Sequence, residues 1–342
     1  MITGIELAER GLVPEPVIRL GIRNLLRRRL AQEGRRHADR EAALARLVGE
    51  MSGADVAPVP ELANDQHYEV PAAFFRLMLG RNMKYSCALW PAGTATLEAA
   101  EEAMLALTCE RAQLGDGQRI LELGCGWGSL TLHVAARWPG SQVLAISNSA
   151  SQREHILAQA ARRGLANVQV VTADMNAFAP EGRFDRVVSV EMFEHMRNWP
   201  ELLRRIGGWL RPGGKLFVHV FAHRLYAYPF ESTGDDDWMG RNFFTGGLMP
   251  SDDLLPRVRG PLDLEGHWVV PGTHYARTAE AWHRNLVRHS AAAAAALGLP
   301  PAEARLQLRR WRIFLLACAE LFGFAGGSEW MVSHYRLAAR GA

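Results

Sequence analysis

The run Arg119–Trp138, RILELGCGWGSLTLHVAARW, decides the fold. RILEL has the length and apolar content of a buried strand, SLTLHVAARW has helical spacing, and Gly124, Gly126 and Gly128 stand between them as GxGxG. A strand that enters a helix through glycines leaves backbone N–H groups exposed with no bulky side chain in the way, which suits a nucleotide-like ligand. The same glycines would also serve plain packing, by letting a helix approach a sheet. Outward from this run, SQVLAIS (141–147), NVQVVTA (167–173), DRVVSVEM (185–192) and GKLFVHVF (214–221) are each strand-length, and the intervals between them suit crossover helices. The alternation predicts an α/β fold: a mostly parallel sheet with helices on both faces, binding its ligand at the carboxyl ends of the strands.

The flanks read differently. Residues 1 to about 60 read as helices, with Val17, Ile18, Ile22, Leu25, Leu26 and Leu30 at three- to four-residue spacing and Arg19, Arg23, Arg27, Arg28 and Arg29 filling the remaining face. Such a basic helix suits peripheral contact with an anionic membrane, or a solvated or subunit-facing position that makes a homodimer reasonable. The Pro-, Gly- and Ala-rich segment Ser52–Asn64 predicts a linker, which divides the chain into a helical N-terminal region (1–64) and a main domain (65–342). Beyond the fifth strand, periodicity is lost from Arg224 to about Ser290 in a segment rich in aromatics, Gly and Asp, and a lid insertion over about 224–325 is expected. SAAAAAALGL (290–299) predicts an Ala-rich surface helix, and WMVSHYRLA (330–338) a closing strand.

A chain of 342 residues that is 48% hydrophobic can bury a sizeable core and is not disordered. Its 39 basic and 36 acidic residues give a formal charge of +3, too balanced for a protein whose partner is nucleic acid. Cys87, Cys109, Cys125 and Cys318 lack CxxC spacing and nearby histidines, so neither a metal nor a disulfide framework is expected. With no N-terminal apolar core of a signal peptide and no run near the roughly 18 apolar residues of a membrane span, a cytoplasmic protein is expected.

A dinucleotide site would carry GxGxxG and an acidic residue about 20 positions on for the ribose. Here the third glycine comes one residue early, the second strand ends in Ser147-Asn148-Ser149, and Glu122 just ahead of the loop suits a cation. These features favour S-adenosylmethionine over NAD. At the carboxyl end of the fourth strand, VEMFEHM presents Glu191, Glu194 and His195, whose i, i+3, i+4 spacing converges on one face if the chain turns helical. Two carboxylates beside an imidazole can hold an ammonium ion and take its proton, which frees the lone pair that attacks a methyl on a sulfonium. The plainer alternative is a helix-start carboxylate next to a hydrogen-bonded histidine. Tyr85, Ser86 and Cys87 ahead of the sheet, His219 within FVHVF, and His274 with Tyr275 in the lid are further candidates whose weight comes from acting together.

These runs, together with HYEVPAAFFRLMLGRNMKYSCALW (67–90), ISNSASQREHI (146–156), VSVEMFEHMRNWPELL (188–203), FFTGGLMPS (243–251), HWVVPGTHYARTAEAW (267–282) and ELFGFAGGSEWMV (320–332), resemble the cyclopropane fatty acid synthase superfamily. Its members are class I, Rossmann-like, S-adenosylmethionine-dependent methyltransferases, and the chain looks most like the coclaurine N-methyltransferase branch, N-terminal helices included. The resemblance implies a cofactor site of Tyr85, Ser86, Gly124, Gly126, Ser147, Gln152 and Val190, with Asp174 and Met175 near the adenine and S-adenosylhomocysteine as product. It also implies that Cys87, Glu194, His219 and Tyr275 match a cage that holds bicarbonate as the base in lipid-cyclopropanating members. Glu191 stands where those members carry Gly and the amine-methylating branch carries Glu.

A carboxylate facing the acceptor suits an ammonium and is costly beside an alkene chain. The expected activity is therefore methyl transfer by direct displacement to a small-molecule amine, with Glu191 and His195 orienting and deprotonating it and Glu194 fixing their geometry. The alternative is C-methylation or cyclopropanation of an unsaturated acyl lipid with bicarbonate. Trp238, Phe243, Phe244, Trp268, Tyr275, Phe322 and Trp330 are the expected aromatic walls for a cationic substrate.

Overall fold

The computed structural model describes residues 3–58, 70–230, 238–258 and 260–339. Seven strands, Arg119–Leu123 (β1), Gln142–Ser147 (β2), Val168–Thr172 (β3), Phe184–Val190 (β4), Leu210–His223 (β5), Leu262–Val270 (β6) and Trp330–Ala339 (β7), form one sheet in the order β3-β2-β1-β4-β5-β7-β6. β1 to β5 run parallel, and β7 lies antiparallel between β5 and β6. The order reverses at β1 and β4, where Leu123 pairs with Ser189, so the glycine run and the acid cluster leave the sheet side by side at the switch point.

Gly4–Glu9 (α1), Glu15–Arg36 (α2), Arg40–Ser52 (α3), Ala72–Met78 (α4) and Leu97–Ala112 (α5) precede the sheet. Ser129–Arg137 (α6), Ala150–Arg162 (α7) and Trp199–Trp209 (α8) are crossovers, and Gly272–Arg288 (α9), Ser290–Ala296 (α10) and Pro301–Gly323 (α11) lie between β6 and β7. The crossover α8 illustrates how local sequence sets an element. Asn198 caps it by accepting from the Glu201 N–H, Pro200 sits in the first turn, and Trp199, Leu202, Leu203 and Ile206 share the buried face. Each of those side chains contributes about 1.5–3 kcal/mol on leaving water.

Two expectations change. The aperiodic segment after β5 is not wholly a lid, because β6 and the whole of α9 come from it. The strand escaped its alternation pattern because it is an edge strand, with Leu264 45% and Val269 47% exposed and Gly266 at a register shift. The N-terminal helices are not a detached appendage either. Ile18, Leu26 and Leu30 of α2 pack against the core, and Arg19 and Arg23 form ion pairs with Glu320 of α11 at 3.0 and 2.5 Å. Val17 and Leu25 from the same expected apolar face stay exposed. Of the expected linker, residues 59–64 lie outside the described residues; Ala57, just before them, is tied to the sheet domain by two hydrogen bonds with Asn176, at 2.9 and 2.8 Å. No helix among the described residues is long and apolar enough to cross a membrane.

Candidate active site

Two cavities open at the carboxyl ends of the central strands and share Tyr85, Glu191 and His195. The first is lined by all nine residues expected at the cofactor: Tyr85, Ser86, Gly124, Gly126, Ser147, Gln152, Asp174, Met175 and Val190. Gly124, Gly126 and Gly128 all have positive φ, yet they do different work. A Cβ at Gly124 would fall 2.9 Å from Met192 and one at Gly128 2.6 Å from Ile156, so packing demands glycine at both. A Cβ at Gly126 would meet nothing within 4 Å, which leaves that position open to a ligand.

The helix α6 starts at Gly128 with no side-chain cap, and Ser129 and Leu130 of its first turn line the cavity. The Ser147 hydroxyl donates to Gln152 Oε1 at 2.6 Å, leaving the buried Gln152 Nε2 without a partner among the described residues. Glu122 accepts from the Thr131 hydroxyl at 2.5 Å, and burial pushes its carboxyl up to about 7. An unclaimed amide donor, an open glycine turn and a buried acid fit a nucleoside with a cationic tail.

The second cavity is mostly apolar, with Ile22 and Leu26 of α2, Phe221 of β5, Tyr275 of α9 and Phe314 and Phe322 of α11 in its wall. Glu191, Glu194 and His195 all line it, as their spacing predicted, although they converge through the single 3-10 turn Phe193–His195 rather than an α-helix. Glu191 follows β4 at φ +49° and is fixed by its backbone N–H donating to His219 O at 2.8 Å. Its Oε1 accepts from the Cys87 N–H at 2.9 Å and faces His219 Nε2 at 3.2 Å, and its Oε2 accepts from the Tyr275 hydroxyl at 2.6 Å.

Three of the four residues matched to a bicarbonate cage thus close on a side-chain carboxylate, with Cys87 contributing its backbone. Glu194, the fourth, is 1% exposed and keeps Oε2 without a partner among the described residues. Burial raises the proton affinity of both glutamates, and the charge of Glu191 raises that of Glu194 further. The His195 ring stacks on Phe244 at 5.7 Å between centroids, 6° from parallel.

Lys84 went unmarked in the sequence. It is 2% exposed, donates to Ser86 Oγ and to Cys87 O at 2.8 Å, and its charge opposes the upward shift of Glu191. Its signal was available: Lys84 and Lys215 are the chain's only lysines. Among the aromatic candidates, Trp238, Phe244, Tyr275, Phe322 and Trp330 line the second cavity. Phe243 instead stacks on Phe314 at 4.2 Å, and Trp268 lies under the guanidinium of Arg111 at 5.1 Å. His274 accepts from the Trp90 N–H at 3.0 Å and lines neither cavity.

The mycolic acid cyclopropane synthetase family matches residues 60–326. (S)-Coclaurine N-methyltransferase of Thalictrum flavum subsp. glaucum is 39% identical over 334 residues, 95% of this chain and 92% of its own length. Cyclopropane-fatty-acyl-phospholipid synthase of Escherichia coli strain K12 is 30% identical over 228 residues, 66% of this chain and 56% of its own. The crystal structure of coclaurine N-methyltransferase bound to N-methylheliamine and SAH superposes with a TM-score of 0.93 at 36% identity, covering 97% of this chain and 98% of that one.

Proposed function

The chain belongs to the mycolic acid cyclopropane synthetase family, and from that premise we propose that it methylates the nitrogen of a small amine with an apolar, aromatic body, using S-adenosylmethionine. The observation that carries this reading is Glu194 Oε2, a buried carboxylate oxygen with no partner among the described residues, in a mostly apolar cavity. Such an oxygen is expensive unless a cation or a proton meets it, and a protonated amine brings both. The high identity to coclaurine N-methyltransferase over 95% of the chain supports the same class of acceptor.

The cofactor cavity fits the donor, with Gln152 Nε2 and the open turn at Gly126 for the nucleoside and Glu122 for the ammonium of its methionine tail. S-Adenosylmethionine supplies an electrophilic methyl on a sulfonium. Glu191, held by the Cys87 N–H and the Tyr275 hydroxyl and facing His219 Nε2, acts as a fixed negative wall that draws the ammonium toward the boundary of the two cavities. Glu194 and His195 orient the ammonium and take its proton. This reverses the expected roles of the glutamates, because the oxygens of Glu191 are already engaged. The aromatic walls and α2 exclude water, and alignment of nitrogen with the methyl does the rest. Cyclopropanation assisted by bicarbonate is disfavoured by the same geometry, since Glu191 takes the cage donors.

A screen of secondary amines, including isoquinolines and phenethylamines, beside unsaturated phospholipids tests this reading, with S-adenosylhomocysteine release as readout. Turnover is expected on amines only, and Glu194→Ala or His195→Ala should lower kcat by about 10²-fold or more while leaving S-adenosylhomocysteine affinity within about threefold. Turnover on phospholipid alone, or variants as fast as the parent, would overturn it.

A further inference from the structure

The paired strands carry one polar rung across the sheet. Val190 at the end of β4 pairs with His219 of β5, His219 with His334 of β7, and His334 with Trp268 of β6. Both histidines are 0% exposed. His219 Nε2 lies 3.2 Å from Glu191 Oε1, His219 Nδ1 lies 2.9 Å from His334 Nε2, and His334 Nδ1 lies 2.8 Å from Arg111 Nη1 on α5. The guanidinium is held over the Trp268 ring at 5.1 Å, and the Phe217 and His334 rings meet edge to face with centroids 5.1 Å apart.

An arginine can donate and cannot accept. His334 Nδ1 must therefore accept, which leaves the proton of a neutral His334 on Nε2, aimed at His219 Nδ1. By the same logic the proton of His219 stands on Nε2, aimed at Glu191. Burial together with the charges of Lys84 and Arg111 keeps both rings neutral. Every hydrogen in the chain points inward, and because Arg111 is a permanent donor the chain is not a route for protons to leave. We propose that Arg111 and His334 are positioning residues that, from outside both cavities, force His219 to present an N–H to the Glu191 carboxylate. This rests on the reading of Glu191 as the fixed anion of the site.

Without the guanidinium, His334 and His219 can shift tautomer together and turn the lone pair of His219 Nε2 toward Glu191. Glu191 would keep the Cys87 N–H and the Tyr275 hydroxyl, with Lys84 as its nearby positive group and His195, Glu194, Cys87 and Cys318 as its titratable neighbours. Losing a donor disfavours the ionised carboxylate, so its titration moves to higher pH.

Long-range proton–nitrogen correlation spectra of protein labelled with 15N-histidine test the idea on the unmodified chain: His219 and His334 should both be Nε2–H tautomers. In Arg111→Met, His219 should lose its single tautomer, kcat should fall about tenfold, the order of one charge-assisted hydrogen bond, and the acid limb of the kcat profile should move to higher pH. Arg111→Lys, which restores a donor, should recover most of each effect. An Nδ1–H proton on His219 in the unmodified chain, or unchanged tautomers in Arg111→Met, would overturn the proposal. The spectra need no acceptor, so absence of amine turnover would count against the functional reading alone.

Discussion

Glu191 occupies the left-handed region at φ +49°, where a side chain costs about 1–2 kcal/mol relative to glycine. The conformation persists because the Glu191 N–H is tied to His219 O and its carboxylate to three groups drawn from separate segments. The cost is thus local and the benefit lies in the site. Glu191→Ala removes the carboxylate and keeps the strain, whereas Glu191→Gly removes both. Thermal melts should therefore find the glycine variant more stable than the alanine variant by about 1 kcal/mol, with methyl transfer lost in both. An alanine variant as stable as the glycine one would show that the backbone relaxes and stores nothing there.

At the scale of elements, the turn from β1 into α6 combines two demands that its three glycines meet separately. Gly128 sits at φ +81° with Ile156 of α7 pressed where a Cβ would go, so Gly128→Ala should cost about 2 kcal/mol or more. Adding Ile156→Ala should return part of that loss in a double-mutant cycle, because the steric share disappears and the φ strain stays. Gly126→Ala faces open space and should be milder on stability while weakening S-adenosylhomocysteine binding about tenfold or more, as read by calorimetry. Equal effects at the two positions would mean that the turn is only a packing device. Gly126 leaves open space for the proposed cofactor, and Gly128 serves packing.

For the whole molecule, the two cavities are built from different parts of the chain. Among the described residues, none before Ala57 lines the cofactor cavity, whereas Ile5, Ile22, Leu25, Leu26, Arg28, Arg29 and Gln32 line the other. Removing residues 1–36 should leave S-adenosylhomocysteine affinity within about threefold and raise KM for the amine more than about tenfold, since one apolar wall is lost. An unchanged KM would show that α2 covers the site without contacting what binds there; Glu320→Gln, which loosens α2 without removing it, should act in the same direction more weakly. Strands β1 to β5, the glycine turn and the Glu191, Glu194 and His195 cluster were legible because each is written within a dozen neighbouring residues, as a period or a spacing. The edge strand β6, the docking of α2 and the different hydrogen bonding of the two glutamates were not. The partners of the Glu191 carboxylate come from positions 104, 28 and 84 residues away, so which carboxylate is locked and which keeps an oxygen unpartnered among the described residues depends on ångström-scale meetings of distant segments. Sequence alone determined the chemical groups present and the strand ends that carry them, because side-chain chemistry and backbone periodicity are local. Only the tertiary structure decided their partners and burial, because hydrogen bonds and desolvation depend on what the folded chain brings within a few ångströms.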